Sequence, residues 1–488
     1  MKLPSNNQAL LTQNSIPATL LKMTMSMMIG FAAGAAFSIT DAYFVSRLGT
    51  NALAAMGFTF PVTMVIFGIS IGIGVGSGSV ISRTIGLGNS HEVKRLTVDS
   101  LLLALLLVGL FVTLGLLTIE PLFRAIGATG ETLSLVCDYM HIWYIGTIFL
   151  VVPIVGNNAI RATGDTLSPS VIMVIDIGLN IILDPILIFG LGPFPAMGIK
   201  GAALATVLCR ALALLASLYI LGKRKKMLTS EIPSLKHLCE SWKRILHVGI
   251  PASLGQLLMP LSAAVIIRMV SNFGTEAVAA FSAGVSVERF VVIPIIALSA
   301  SLLPIIGQNW GAGNVTRVKK AYKIANIFTI IWGPLSVIII TIANPWLVKL
   351  FTDEPSVQKY LSIFLYVIPV AYTFRGLCHN AYSSMNAINH PYHSMVNILF
   401  RLFVFTIPFA ALGAKTYRFK GLLIGMVIAE VISSFIAVNW TTKLFNETKF
   451  SWFKVRDFLR DRQAIPVGPD TPIDGLKSVL PRSNNKND

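Results

Sequence analysis

Charged side chains are scarce in this sequence. Only 12% of its 488 residues are Asp, Glu, Lys or Arg, and 54% are hydrophobic, whereas about a quarter of the residues of a typical soluble protein are charged. So few charges cannot cover the water-exposed surface of a soluble chain of this length. The composition therefore excludes a soluble globular enzyme and indicates an integral membrane protein.

Motifs for metals, disulfides and nucleotides are missing as well. Cys137, Cys209, Cys239 and Cys378 are scattered without a C-x-x-C pair, which indicates neither a disulfide framework nor a metal site. There is no G-x-x-x-x-G-K-[ST] phosphate-binding motif, so an ion gradient or a separate partner has to drive any transport. No His/Asp or Ser/His/Asp group falls at one membrane depth, so we expect neither an enzyme nor a bound cofactor.

Long apolar runs dominate what is present. A bilayer core requires about 20 apolar residues per helix, and twelve runs of this kind can be read between polar or Gly/Pro breaks. The polar start, Met1–Ser15, has no signal-peptide pattern, so we expect the first run to remain as a helix. The predicted spans lie near 17–46, 53–82, 96–119, 132–158, 168–190, 198–221, 246–272, 278–306, 318–343, 359–384, 394–413 and 421–445.

The spans divide into two sets of six. A polar linker at 223–244 separates an N-terminal lobe, residues 1–222, from a C-terminal lobe, residues 245–448. The proline-rich, polar remainder, residues 449–488, is expected to be a cytoplasmic tail that begins with a short amphipathic piece and continues as disordered chain. The predicted fold class is therefore an all-α integral membrane protein with twelve transmembrane helices.

Basic residues accumulate on one side of these spans. Of the 39 Lys and Arg residues, 26 fall in the termini and in the even-numbered connections, including the run Lys223–Lys226. The positive-inside rule then predicts that both termini are cytoplasmic, in a prokaryotic inner (plasma) membrane. The net charge of +17 is explained by membrane topology and contact with anionic lipids, so we expect no nucleic-acid partner. We expect a monomer.

The two halves are copies of one another. Placing Gly86 opposite Gly311 aligns ten identical residues without a gap, among them Gly88 and Asn89 with Gly313 and Asn314. Because each half has an even number of spans, both copies enter the membrane in the same direction. Parallel repeats of this kind are typical of transporters that bind substrate between the halves, and a channel built of repeats is the less favoured alternative.

Several motifs carry a resemblance to a known family. The carrying segments are Leu48-Gly49 with Ala52-Leu53-Ala54-Ala55, Leu183–Gly190 with Gly192-Pro193-Phe194-Pro195, Gly201–Thr206, and Gly307-Gln308-Asn309 before Gly311-Ala312-Gly313. Together they resemble the multidrug and toxic compound extrusion (MATE) family, most of all its DinF-like branch, over all twelve spans. The resemblance implies two six-helix lobes around a V-shaped cleft. It also implies export of cationic amphipathic compounds in exchange for protons or sodium ions.

Ionisable residues inside the spans are the functional candidates, because charge within a bilayer is energetically costly. At five or more residues from either end of a predicted span, the first half has four acids, Asp41, Asp138, Asp176 and Asp184, and one arginine, Arg210. The second half has two acids, Glu288 and Glu430, and three arginines, Arg289, Arg375 and Arg401. The excess of acid predicts that the first half handles the coupling cation.

Depth selects Asp41 and Asp184 among the acids. At about 1.5 Å per helical residue, Asp41, Tyr139 and Asp184 fall at a similar depth on three helices, and Asn180 shares a helix face with Asp184. Two poorly hydrated carboxylates repel each other, so such a pair can hold a proton at neutral pH. Oxygens of Asp41, Asn180 and Asp184 would also suit Na⁺. The sequence thus predicts coupling by H⁺ or Na⁺, and no other metal.

The same four residues match the polar cluster that the family resemblance implies for the first lobe. We interpret Asn157, Asn158, Thr206 and Asp176 as substrate-binding residues. Three alternatives stay open: Asp176 pairs with Arg210, Asp138 points to the outer interface, and the second-half arginines neutralise Glu288 and Glu430.

Two further features bear on mechanism. The family's first helix usually bends at a proline, but the residue that the repeat aligns with Pro251 is Ser26, so this bend is not predicted here. The arginines of the second half also favour an alternative function, a flippase for a lipid-linked saccharide or another lipid, because such a site must hold a phosphate.

Overall fold

The computed structural model describes residues 9–231 and 234–447. Throughout these residues the regular structure is helical, as the predicted fold class requires. Eleven helical segments are long and apolar enough to cross a membrane, and the last of them, from Pro391 to Glu447, contains two crossings. The predicted tail at 449–488 lies outside the described residues.

The first half supplies six spans. Helices α2, α3 and α4 extend beyond the apolar runs that predict them at both ends, because polar residues there continue the helix, whereas α1, α5 and α6 follow their runs to within two residues. The helices are α1 (Ile16–Ser46), α2 (Thr50–Gly86), α3 (Ser90–Ala125), α4 (Gly130–Ala162), α5 (Leu167–Phe189) and α6 (Ile199–Tyr219), and a π-helical turn, Ile220–Arg224, follows α6.

The second half supplies six more spans, three of which are interrupted. The seventh and ninth spans are α7 (Leu235–Val270) and α10 (Val315–Phe351), the eighth is α8 (Thr275–Val291) with α9 (Ile293–Gly311), and the tenth is α11 (Pro355–Val367) with α12 (Ala371–Ala387). The eleventh begins as α13 (Pro391–Leu399) and passes through a π-helical turn, Phe400–Thr406, into α14 (Ile407–Glu447).

The chain reverses inside α14. Tyr417 and Arg418 leave the helical conformation, and Arg418 has a φ of 54°. A Cβ atom at Gly413 would lie 2.0 Å from the carbonyl oxygen of Gly421, so the segments on either side are packed directly together. The eleventh span ends here and the twelfth begins, which accounts for twelve spans in the predicted order.

Helix α1 is continuous. Every residue from Ile16 to Ser46 is helical, and Ser26, at the position where a proline would bend the helix, donates a hydrogen bond to the Lys22 carbonyl at 3.0 Å. Its only proline, Pro17, occupies the first turn, where a missing N–H has no helical partner to lose.

Glycines bring the two halves into backbone contact. A Cβ atom at Gly76 in α2 would lie 2.4 Å from the Ile245 carbonyl oxygen and 3.0 Å from the Gly249 nitrogen of α7. Small residues permit such close helix packing within a membrane, where lipid tails are as apolar as side chains. The α2–α7 crossing is therefore a fixed contact between the halves.

A second contact between the halves follows the sequence repeat. A Cβ atom at Gly86 would lie 2.1 Å from the Gln308 carbonyl oxygen, and a Cβ atom at Gly311 would lie 2.1 Å from the Arg83 carbonyl oxygen. Gly86 and Gly311 are equivalent positions of the repeat, as are Arg83 and Gln308. The two copies thus meet in a self-complementary contact, like a two-fold dimer interface. We call this end, where α2 leads to α3 and α9 to α10, the basic end.

The glycine contact predicts a site-specific loss of stability. Gly76→Val should lower the melting temperature of the purified protein markedly, because the backbone of α7 cannot yield and overpacking costs about 1–3 kcal/mol. Gly109→Val in α3 is the matched control, since no atom lies within 4 Å of the place that its Cβ atom would occupy. Equal melting temperatures for the two variants in detergent would contradict the close α2–α7 contact.

Candidate functional site

A cavity of about 860 Å³ lies mainly within the first half. Its walls come from α1, α2, α4, α5 and α6, and Arg289 of α8 is its contribution from the second half. The aromatic side chains in its lining are Phe31, Phe37, Phe60, Phe67, Tyr139 and Trp143. An aromatic wall with a few polar groups suits a bulky amphipathic organic compound.

The predicted carboxylate cluster forms at one side of this cavity. Asp41 and Tyr139 line the cavity, whereas Asn180 and Asp184 are fully buried behind it. Asn180 donates a hydrogen bond to Asp184 Oδ1 at 2.9 Å, and Asp184 interacts electrostatically with Asp41. The Tyr139 hydroxyl interacts with both carboxylates. The structure therefore brings all four predicted coupling residues together, and their role in coupling stays a prediction.

The cluster has unused acceptor oxygens. Asp41 Oδ1, Asn180 Oδ1 and Asp184 Oδ2 are buried and accept no hydrogen bond from any described residue. Buried acceptors without a donor are energetically unfavourable. A proton on one carboxylate would neutralise it and supply one donor, and oxygens of this kind also bind hard cations, so the residues fit both coupling ions that the sequence predicts.

Asp176 is paired with Arg210, which is the alternative that the sequence left open. Its carboxylate accepts a hydrogen bond from Arg210 at 2.5 Å, and the Arg210 guanidinium lies 4.8 Å from the centre of the Phe37 ring. Asp176 lines the cavity, but its charge is neutralised there, and its predicted role in substrate binding remains untested. Arg210 also interacts electrostatically with Asp41.

The remaining first-half acid lies at the periphery. Asp138 forms an ion pair with Lys200 at 3.2 Å, and 39% of its side chain is exposed. This is the interfacial position that the sequence left open as an alternative. Among the four intramembrane acids of the first half, Asp41 and Asp184 are thus the two without an ion pair in the described part of the chain.

Only some of the predicted substrate-binding residues line the cavity. Asn157 and Thr206 line the cavity. Asn158 does not share it, because its amide group donates to the Ile154 carbonyl at 2.8 Å and packs against Gly74 of α2. Consecutive residues on a helix point about 100° apart, and here Asn157 faces the cavity while Asn158 faces α2.

Two cavity arginines were missed as site residues. Arg161 and Arg289 both line the cavity, and neither guanidinium has a hydrogen-bond or ion-pair partner among residues 9–231 and 234–447. Arg161 lies one helical turn after Asn157, which places the two on one face, and this spacing could have identified it. Its position at the end of the span suggested only a topological role.

The acids of the second half are neutralised, as the open alternative held. Arg375 of α12 bonds Glu288 of α8, and its Nε donates to Glu430 of α14 at 3.2 Å. Arg401, in the π-helical turn, donates to Glu430 at 3.0 Å. Four segments are therefore tied together by buried ion pairs, and Arg289 is left free to face the cavity.

The ion-pair cluster of the second half predicts a large loss of stability when its central cation is removed. Arg375→Leu should lower the melting temperature sharply, because removing one partner of a buried ion pair costs about 3–5 kcal/mol. Arg268→Leu is the control, since Arg268 is exposed and bonds Ser271. A melting temperature of Arg375→Leu equal to that of the control would show that the cluster contributes nothing to stability.

The chain is similar to known proteins over most of its length. The family model for MatE matches twice, at residues 23–186 and 251–412, one match in each half. A "FAD transporter" of Shewanella oneidensis is 40% identical over 417 residues, 86% of this chain and 92% of the relative. A "Multidrug export protein MepA" of Staphylococcus haemolyticus is 26% identical over 87% of this chain and 93% of the relative.

Solved structures show the same architecture. The Vibrio cholerae MATE transporter VcmN in its bent form superposes with a TM-score of 0.84 at 31% identity, covering 88% of this chain and 97% of that one. An outward-facing multidrug resistance MATE family transporter superposes with a TM-score of 0.84 at 28% identity, covering 91% and 99%. These likenesses confirm the twelve-helix, two-lobe fold.

Proposed function

We propose, from the premise that the chain belongs to the MatE family of membrane transporters, that it is a secondary active exporter of amphipathic organic compounds. In this proposal a proton or a sodium ion at Asp41 and Asp184 is exchanged for the substrate. The observation that carries the proposal is the buried pair of unpaired carboxylates beside an aromatic cavity.

The arrangement explains how the two ligands exchange. Asp41 contacts the cavity, whereas Asp184 lies behind it, so the charge of the pair acts on a substrate without direct contact to both groups. With the pair ionised, a cationic compound is attracted into the cavity, because electrostatic interactions are strong where water is excluded. Binding of H⁺ or Na⁺ from outside removes that attraction and releases the compound, and the lobes then rock to alternate access.

The coupling pair can be tested by removing its charge. Asp41→Asn and Asp184→Asn should each reduce dye transport into everted vesicles, which is the export direction, to the level of vesicles without the protein. The reason is that an amide neither takes up a proton nor changes charge. Asp138→Asn, which removes an exposed carboxylate of the same half, should keep export. Full export by either cluster variant, at equal protein level, would refute the coupling role. Imposing a pH gradient and a sodium gradient separately identifies the ion.

The charge of the cavity favours a second substrate class. Arg161 and Arg289 line it without an acidic partner, and the relative at 40% identity is named an FAD transporter. Guanidinium groups bind phosphates in bidentate fashion, and the aromatic wall could stack a planar ring. We therefore propose a flavin nucleotide, an anionic aromatic compound, as the alternative to the cationic amphipathic drugs.

Arg289 separates the two substrate classes. Arg289→Gln should lower flavin nucleotide export about tenfold, as expected for the loss of one charge-assisted hydrogen bond, and leave export of a cationic dye unchanged or raised. Arg268→Gln, an exposed arginine of the same half, is the control for general effects. If the loss falls on the dye and flavin nucleotide export is unchanged, the anionic class is wrong.

The lipid flippase alternative keeps only Arg289 of the three second-half arginines that favoured it. Arg375 and Arg401 are engaged with Glu288 and Glu430 and do not line the cavity. Our proposal places the protein in the bacterial plasma membrane with both termini in the cytoplasm, as a monomer among lipids. It includes no cofactor and no nucleic-acid partner.

A further inference from the structure

The basic end is closed by a matched pair of hydrogen bonds. Gln308 of α9 donates to the carbonyl of Ala162, the last residue of α4, at 2.8 Å. Arg83 of α2 donates to the carbonyl of Ala387, the last residue of α12, at 2.9 Å. The repeat aligns Arg83 with Gln308, and it aligns Ala162 with Ala387. Each half therefore caps a helix end of the other half through the same position of the repeat.

A short segment before α1 makes additional hydrogen bonds next to one of these two caps, the one formed by Gln308. Residues Leu10–Thr12 form a single 3₁₀ turn, and the Leu11 N–H donates to Gln308 Oε1 at 3.2 Å. The Leu11 carbonyl accepts from Asn309 at 3.1 Å and from Arg317 at 3.3 Å. Arg317 also donates to the Asn14 carbonyl at 2.6 Å. The segment is thus bonded to α9 and α10 of the second half.

The side chain of Leu11 fixes the segment to the first half. It is 4% exposed, whereas the neighbouring Leu10 is 51% exposed. Its Cδ2 lies 3.0 Å from the position of a Cβ atom at Gly164, just beyond the end of α4. The segment therefore contacts both halves at the point where Gln308 joins them.

The second copy of the repeat has no such segment. The residue that the repeat aligns with Leu11 is Lys236, which belongs to α7. Both caps at the basic end are thus present in each half, whereas the turn before α1 joins only the Gln308 cap and Asn389 joins only the Arg83 cap. The turn Leu10–Thr12 therefore adds bonds to the contact between the halves at Gln308.

We propose that Leu10–Asn14 is a strap that stabilises the state closed at the basic end. The inference rests on the proposed alternating access, since opening this end separates α9 from α4 and breaks the bond between Gln308 and Ala162. Leu11 then loses either its bond to Gln308 or its contact at Gly164. The strap sets the population of the closed state and leaves the coupling site unaltered.

Distances between the halves test the strap. Nitroxide labels at Ser90→Cys and Thr316→Cys, both exposed positions at the basic end, report its opening in a background without the four native cysteines. Leu11→Asp should raise the population of long distances about fivefold, since the buried apolar contact at Gly164 is replaced by a carboxylate that burial disfavours. Leu10→Asp places the same carboxylate in the same turn at an exposed position and should match the unsubstituted protein.

A second variant avoids any effect of placing a charge in a buried position. Arg317→Lys keeps the positive charge but loses the planar guanidinium that bonds two carbonyls at once, so it should also raise the open population. Lys320→Arg, an exposed change on the same helix, is its control. Distance distributions of Leu11→Asp and Arg317→Lys that equal those of their controls would overturn the strap.

These distances are measured without substrate, so the outcome is separate from that of the export assays. If the unsubstituted protein opens with acid or Na⁺ while Leu11→Asp shows no larger open population, the strap alone is wrong. If none of the proteins opens under any condition, both the strap and the alternating access fail. Opening in Leu11→Asp together with absent export by the unsubstituted protein would support the strap and refute the proposed function.

Discussion

A charge that is buried in a membrane protein needs a partner, and this constraint determines where chemistry can take place in this fold. Taking an ionised group out of water costs several kcal/mol unless an opposite charge or hydrogen bonds compensate. Asp176 and Arg210 satisfy the requirement for each other, and so do the four ionised groups of the second half. Asp41 and Asp184 do not, and a mobile cation is the partner that remains available to them.

The same constraint gives the halves different mechanical properties. In the second half, Arg375 and Arg401 connect α8, α12, the π-helical turn and α14 through two glutamates. These charges are fixed, because losing any one leaves another unpaired in a dry interior. In the first half, the proposed mechanism requires the charge of the carboxylate pair to change. We infer that a rigid half and a half of variable charge move against each other, with the glycine crossing of α2 and α7 as the persistent contact.

Residue spacing predicted the spans and the acidic cluster, because both depend on features that a single helix fixes. Length and hydropathy define a span, and rise per residue defines depth. Which side chains pair between helices depends on how the helices are rotated relative to each other, and the sequence of a single span does not determine that rotation. Hence the engagement of Asp176 with Arg210 stayed open, the packing of Asn158 against α2 was not predicted, and Arg289 was counted as a possible ion-pair partner although it faces the cavity. The break at Val292 likewise needs tertiary contacts to define it.

The repeat clarifies which parts of the molecule are scaffold and which are site. Some positions that match between the two copies lie in the contact between the halves, as Gly86 and Gly311 do, where each glycine lets the same backbone of the other copy approach closely. Positions that carry the chemistry do not match, since Asp41 and Asp184 correspond to Ile266 and Phe409. A duplicated scaffold thus keeps its symmetric closure while one copy holds the ionisable pair.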